Sequence, residues 1–357
     1  MHPAMHTAAL AFFLPDHSAP SLTPLDQGNI NDTWRVDLDN GTAYVLQRLH
    51  PTVFADPGAV MANIRLVTKS LAAATSSETA FFQLVANAMG QDHLIDQEGC
   101  CWRLLTYIPR TRTLTRLTNP AQATEIGRLL GRFHLLTADI APERLVDPLP
   151  GFHITPHYLK QCDAARMQAS GFNAQETMCC LWIDDLRPWA SILELARTEL
   201  SCRIIHGDPK TANFLFADDE DRAVSLIDFD TVKPGLLLHD LGDCLRSCCN
   251  PQGEMPIHPA NTTFEPAFFH ALVTGYLSQA GHLLNPKDQE LLVASALVIS
   301  LELGLRFFTD HLTGNRYFRV DSPGQNLHRA LVQLHLCRSI HSQYDALTRL
   351  FTGLISA

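Results

Sequence analysis

The chain has 357 residues, 46% hydrophobic and 18% charged, which excludes collagen-like, disordered and low-complexity readings. Its length suits two domains, or one domain built in two lobes. Lys and Arg number 27 against 37 Asp and Glu, a net charge of −10, so a nucleic-acid partner is disfavoured. A phosphorylated small ligand stays compatible, because a few local cations, amides or a metal outweigh the net charge.

No apolar run reaches the length of a bilayer span, so no membrane partner is expected. The short apolar patch from Ala8 to Leu14 lacks a basic flank and a small-residue cleavage site, which argues against a signal peptide. Three of the cysteine pairings are adjacent, Cys100-Cys101, Cys179-Cys180 and Cys248-Cys249, and no C-x-x-C occurs. Such usage reads as reduced thiols in a cytoplasmic protein. His153 and His157 are four apart with Pro156 between them, a weak metal signal.

The first hundred residues read as strand-rich. Thr33 to Leu38 alternates, Asn40-Gly41 is a hairpin turn, and Thr42 to Leu49 is the return strand. Asp56-Pro57 opens a helix with Val60, Ile64, Val67 and Leu71 on one face. Strands at His93–Ile95 and Cys101–Leu105 follow, turning at Glu98-Gly99, and regular pairing stops at Thr106 to Pro109. Beyond Pro109 the pattern is helical. Asn119-Pro120 starts a helix, and further helices are expected at Cys179–Leu186, Ala190–Leu200, Phe268–Gln279, Asp288–Phe308 and Leu327–Leu350. A compact β segment interrupts them: Arg203–Ile205, Asn213–Phe216 and Val224–Ile227. The expected fold is α+β in two lobes: a β-rich lobe at 1–105, a hinge at 106–109 and a larger helical lobe at 110–357.

The chemistry concentrates in His206-Gly207-Asp208-Pro209-Lys210-Thr211-Ala212-Asn213, between two apolar strands, and in Ile227-Asp228-Phe229-Asp230-Thr231 fifteen residues on. A loop Asp with an Asn five residues later, then a second Asp after a hairpin, is a phosphoryl-transfer pattern. The first Asp orients an attacking hydroxyl or takes its proton. The Asn oxygen and the later carboxylate hold Mg²⁺ against nucleotide phosphates, hard oxygen ligands for a hard cation.

On these motifs the chain resembles the aminoglycoside phosphotransferase and choline kinase superfamily, which has the two-lobed protein-kinase-like fold. Val45-Leu46-Gln47-Arg48-Leu49, Val53 to Pro57, Asp228 to Gly235 and Leu305 to Phe318 resemble its bacterial N-acetylhexosamine 1-kinase branch. The resemblance implies an ATP- and Mg²⁺-dependent kinase acting on the anomeric hydroxyl of an N-acetylhexosamine. It implies Asp208 as the catalytic residue and Asn213 and Asp228 as metal ligands. Asp230 either assists the metal or holds the loop, and His206 braces the loop. Gly28, Asn29, Asn31 and Thr33 belong to a nucleotide-covering loop, and Thr106, Tyr107 and Ile108 form a hinge facing adenine.

Two departures stand out. Kinase-like folds place a Lys on the third strand, paired with a helix Glu, to grip the phosphates. Here that strand offers Gln47 or Arg48, and the helix after Asp56 holds no acid. Arg48 is either a phosphate contact or an exposed strand residue. The second departure is Asn315, where related sequences carry Asp. On the acceptor side, Asp240 and Asp243 are candidate contacts, with pairing to Arg246 as the structural alternative. Glu302, Arg306 and Asp310 recur at helical spacing, as an ion-pair stripe or as an acceptor wall, and Tyr317 stacks on a sugar or packs internally. An amine-bearing acceptor, met by Glu302, Asp310, Asp240 and Asp243, is the rival substrate class. A non-catalytic nucleotide-binding module is the other rival.

Overall fold

A computed structural model describes residues 3–16, 20–25, 31–49, 53–54, 56–74 and 79–356. The small lobe holds helix α1 (Pro3–Phe13) and strands β1 (Ser21–Pro24), β2 (Asp32–Asp37) and β3 (Ala43–Leu49). Helix α2 (Pro57–Ala72) and strands β4 (Leu84–Val85), β5 (Leu94–Ile95) and β6 (Cys101–Thr106) complete it. The sheet is antiparallel in the order β1-β2-β3-β6-β4, with β5 also on β6. The β2–β3 hairpin turns where expected: Gly41 has φ +83°, and Asn40 Oδ1 accepts from the Thr42 amide at 2.9 Å. Asp56 caps α2 by accepting from the Ala59 amide at 3.0 Å.

Strand alternation gives this sheet two different faces. Trp34, Val36, Leu46, Trp102 and Leu104 pack outward against Ala9, Leu10 and Phe13 of α1. Leu49, Cys101 and Leu105 face inward, in one continuous core with α2 and the large lobe. The Ala8–Leu14 patch is thus largely the apolar face of a helix that covers the outer sheet.

The chain changes sheets between Thr106 and β7 (Thr111–Thr113), which pairs with the large-lobe strand β9. Helices α3 (Pro120–Thr137), α4 (Thr155–Gln168), α5 (Ala174–Leu186) and the short α6 (Ile192–Leu195) follow. Strands β8 (Cys202–Ile205), β9 (Phe214–Ala217), β10 (Ala223–Leu226) and β11 (Lys233–Leu236) carry the chemical loops. Then come α7 (Leu237–Cys248), α8 (Pro266–Ala280), α9 (Pro286–Leu312), α10 (Gln325–Ser342) and α11 (Tyr344–Ser356). The architecture is the expected two-lobed kinase-like fold, a small antiparallel-sheet lobe before a larger helical one.

Three local expectations are corrected. Helix α4 was not foreseen, because its buried stripe is only Thr155, Leu159, Cys162 and Ala165, too narrow and polar to register as amphipathic. The expected helix at 327–350 breaks at Gln343 into α10 and α11. Helix α9 is, by length and composition, long and apolar enough to cross a bilayer, but 83% of its most apolar window is buried in the protein. All ten cysteines are free thiols, as expected.

Candidate active site

Two loops meet at the ends of β8 and β10. Gly207 has φ +87°, and a Cβ there would lie 2.7 Å from the Thr231 carbonyl, so only glycine lets the loops close. The Thr231 hydroxyl donates to the His206 carbonyl at 2.8 Å. The His206 ring does the rest of the joining. Its Nε2 donates to the Ile227 carbonyl at 2.9 Å, and its Nδ1 accepts from the Asp208 amide at 3.2 Å. That fixes a neutral tautomer, and burial lowers the ring's pKa in the same sense. His206 is the loop brace the sequence suggests.

Behind the loop stands Asp240, fully buried on α7. Its carboxylate accepts from the amides of His206 (2.6 Å) and Gly207 (2.7 Å) and faces His134 Nε2 at 2.9 Å. Burial pushes this carboxyl up, and the His134 contact brings it below its ordinary value. Both oxygens are engaged, so Asp240 holds the loop and does not contact an acceptor, which corrects its expected role. Asp243 pairs with Arg246 at 2.7 Å, and Arg246 reaches Glu254 at 2.8 Å. Burial raises the Asp243 carboxyl to about 6. Its Oδ2 has no hydrogen bond among the described residues.

Asp208 is partly open to solvent, and Lys210 Nζ donates to its Oδ2 at 2.5 Å. Burial pushes the Asp208 carboxyl up, but the Lys210 charge and hydrogen bond bring it below the usual carboxylate value. Asn213 Nδ2 donates to the Asp208 carbonyl at 2.7 Å, which turns the amide oxygen the opposite way. Asp228 sits in left-handed backbone, φ +69°. No hydrogen bond or ion pair reaches its carboxylate among the described residues. Burial first, then the charge of Asp230, raises it to about 7. An unpartnered carboxylate in an acidic setting is a group that a cation would satisfy. Asn213 and Asp228 therefore fit a divalent metal with hard oxygen ligands. No group of three or more His, Cys, Asp or Glu side chains suited to a metal occurs among the described residues.

The Asp230 oxygens are already taken, Oδ1 by Arg103 Nη1 and Oδ2 by Asn31 Nδ2, each at 2.5 Å. It holds the loop, and the metal role is corrected. Arg48 is corrected too. On β3 it alternates with Gln47 and points to the outer face, where it lies over Trp102 and pairs with Glu98 at 2.5 Å and Asp96 at 3.7 Å. Gln47 faces inward and accepts from Arg103, whose Nη1 also ion-pairs with Asp230. Arg103, on β6 and 1% exposed, is the inward cation that sequence reasoning missed. Asn63 was missed as well. Its Nδ2 donates to the Val232 carbonyl at 2.9 Å, tying acid-free α2 to the Asp228 loop.

Gly28 and Asn29 lie outside the described residues. At the hinge, the Thr106 amide donates to Gln83 at 3.0 Å and the Ile108 carbonyl accepts from Thr111 at 2.9 Å. Tyr107 receives the Arg35 guanidinium over its ring at 4.6 Å. The Ile108 N–H donates to no group among the described residues.

A sequence profile of the phosphotransferase enzyme family matches residues 21–281. The chain belongs to that family. As a phosphotransferase it shares its fold with a microcompartment-associated aminopropanol kinase, at 17% identity and TM-score 0.67 over 97% of this chain and 99% of that one. An amicoumacin kinase bound to AMP-PNP and calcium aligns at 15% identity and TM-score 0.64, over 94% and 93% of the two chains. A choline/ethanolamine kinase family protein from Mesorhizobium loti aligns at 15% and 0.58, over 99% of each.

Beside the phosphotransferase loops lies a cavity of about 400 Å³ lined by Phe152, Tyr158, Arg306, Arg316, Tyr317 and Phe318, among others. Phe152 stacks on His153 at 3.9 Å, and His153 Nε2 meets the Gly207 carbonyl at 2.7 Å, so the cavity wall leans on the catalytic loop. The other His153 nitrogen faces Glu302 at 3.2 Å. Burial opposes a charge on this ring, but Glu302 overrides it and raises the pKa; with two acceptors the ring donates from both nitrogens. Glu302 also accepts from Thr155 at 2.9 Å. Asp310 accepts from the amides of Arg316, Tyr317 and Phe318 and from Asn326. It shapes the loop that carries Tyr317. Asn315, like Gly314 before it, has positive φ, +57°, and its Oδ1 accepts from Asn326 at 3.0 Å. The expected stripe thus has three separate jobs. Arg306 faces the cavity, which Asp310 also lines. Four aromatic rings lie 5.0–5.6 Å from the Arg306 guanidinium carbon, and no carboxylate is in ion-pair range of it among the described residues.

Proposed function

We propose that this phosphotransferase moves the γ-phosphoryl group of ATP to the anomeric hydroxyl of an N-acetylhexosamine. The acceptor oxygen attacks phosphorus, the bond to the bridging oxygen breaks, ADP departs, and the hydroxyl proton passes to Asp208. Lys210 keeps Asp208 ionised and supplies positive charge beside the transferring group. Asn213 and Asp228 would hold Mg²⁺, which when bound neutralises charge on the phosphates. Arg306 would donate to ring or acetamido oxygens, and Tyr317 and Phe318 would flank the sugar.

One observation carries the choice of acceptor: the cavity presents a guanidinium, while most neighbouring carboxylate oxygens are engaged internally. Asp240, Glu302 and Asp310 have both oxygens engaged, and Asp243 is paired with Arg246 through Oδ1, its Oδ2 buried without a hydrogen bond among the described residues. An amine-bearing acceptor needs free negative charge there. The aminopropanol and amicoumacin kinases share the fold, but a cavity with this lining suits neutral oxygens better. The grouping of Asp208, Lys210, Asn213 and Asp228 disfavours the non-catalytic reading. An acceptor panel with labelled ATP tests this. Label should enter N-acetylhexosamines and abolish their reducing ends. Transfer only to aminoglycosides or amino alcohols overturns it.

A further inference from the structure

The family's usual lysine–glutamate grip is absent, yet the inner face of the small-lobe sheet is not empty of charge. Thr33, Gln47 and Arg103 are register partners across β2, β3 and β6, so their side chains form one row. Gln47 Nε2 donates to the Thr33 hydroxyl at 3.3 Å. Gln47 Oε1 accepts from Arg103 Nε at 2.9 Å and Nη2 at 2.6 Å. Arg103 Nη1 then reaches across to Asp230 Oδ1, and Asp230 Oδ2 accepts from Asn31, whose chain leads back to Thr33. The ring is closed: sheet, Asp228 loop and the exit of the nucleotide-covering segment are joined through one buried guanidinium.

We infer that Arg103, through Asp230, is the positioning residue that locks the small lobe onto the metal-binding loop, replacing the missing lysine–glutamate pair. Two Arg103 nitrogens donate to Gln47 and the third ion-pairs with Asp230, so Arg103 acts through these partners. Asp230 stands two residues from Asp228 in the same turn. Fixing Asp230 fixes the direction of the Asp228 carboxylate. The acceptor cavity, beyond the catalytic loop, is outside this ring. Loss of the clamp therefore falls on nucleotide and not on acceptor.

The test rests on the phosphotransferase reading only in its binding arm. Titration calorimetry with AMP-PNP and Mg²⁺ compares wild type with Arg103→Met, Arg103→Lys, Asp230→Asn and the Met/Asn double variant. Hydrogen exchange follows residues 43–49 and 229–232 without nucleotide. Expected results are at least about tenfold weaker AMP-PNP binding in each single neutral variant, with the double within about threefold of Arg103→Met. Exchange should quicken in both segments, Arg103→Lys should recover part of the affinity, and the acceptor KM should move less than about twofold. Wild-type affinity and exchange in Arg103→Met overturns the proposal. So does weakening in Arg103→Met without weakening in Asp230→Asn, which would mean direct contact with nucleotide. So does full additivity. If Arg103→Met does not fold, the near-isosteric Asp230→Asn decides alone. A wild type that binds no AMP-PNP would overturn the functional reading, and the exchange arm would still decide the clamp.

Discussion

Lys210 Nζ donates to Asp208 Oδ2, two residues away on the same loop, at 2.5 Å. In the proposed mechanism the pair sets both the position and the ionisation of the general base. Asp208→Asn should cut turnover by roughly 10²–10⁴, while AMP-PNP affinity and thermal stability stay near wild type. Lys210→Met should lower kcat and also move the acid limb of the rate profile upward. Lys210 holds the Asp208 carboxyl low, so without it the base protonates at higher pH and activity fails earlier on acidification. Wild-type rates in Asp208→Asn, or an unmoved acid limb in Lys210→Met, contradict this assignment.

Asp228 gives an opposite pH signature. Its folded carboxyl is raised to about 7, chiefly by burial. A carboxyl raised on folding contributes stability below its unfolded value, and that contribution is lost as pH rises through the folded value. Metal-free protein should therefore lose stability between about pH 4 and 7 on this account, and Asp228→Asn should flatten that part of the denaturation profile. Mg²⁺ should restore most stability at the alkaline end, where the carboxylate is charged and unpartnered. Identical pH–stability curves for Asp228→Asn and wild type would count against an unpartnered carboxylate.

Much of this was legible in sequence, and for definite reasons. Asp208, Asn213 and Asp228 lie on short loops between apolar strands, where spacing in the chain fixes spacing in space. The faces of β3 were less legible. Gln47 and Arg48 differ by one residue, and a one-residue choice decides which face a side chain meets. Arg103 sits in the run Cys101–Leu105, which reads simply as a buried strand, and nothing local marks its partner 127 residues on. Asp240, Glu302 and Asp310 looked available because their donors are mostly backbone amides or histidines outside their own helices, which no helical spacing reveals.

Arg48 supplies a control for that reading. Its guanidinium is buried on the outer face between Glu98, Asp96 and Trp102. Arg48→Ala should lower stability by about 1–3 kcal/mol, read by denaturant unfolding, with kcat and the KM for ATP unchanged. A specific rise in the KM for ATP would return Arg48 to the nucleotide site.

Glu302 and His153 form a buried ion pair that braces both the Gly207 carbonyl and the ring of Phe152. Glu302→Gln leaves a buried imidazolium with a weaker partner and should cost about 3–5 kcal/mol. The cost has a direction in pH. The His153 ring is raised in the fold, so its stabilisation is full below the unfolded histidine value and fades as pH rises through the raised one. The difference between Glu302→Gln and wild type should therefore shrink on the alkaline side. An equal difference at pH 5 and pH 9 would mean that the ring is neutral.

Arg306 separates acceptor binding from packing. Its guanidinium faces four aromatic rings and no carboxylate, so its removal frees no buried counter-charge. If it grips acceptor oxygens, Arg306→Ala should raise the acceptor KM by about tenfold or more, the scale of a charged hydrogen bond, while AMP-PNP affinity holds. Arg306→Lys should recover little, because one ammonium cannot reproduce the planar fork stacked among rings. The aromatic contacts alone would instead predict a lower unfolding temperature with both substrate constants unmoved. Steady-state kinetics and calorimetry on the same preparation distinguish the two, since the acceptor KM responds only if the guanidinium points at what enters the cavity.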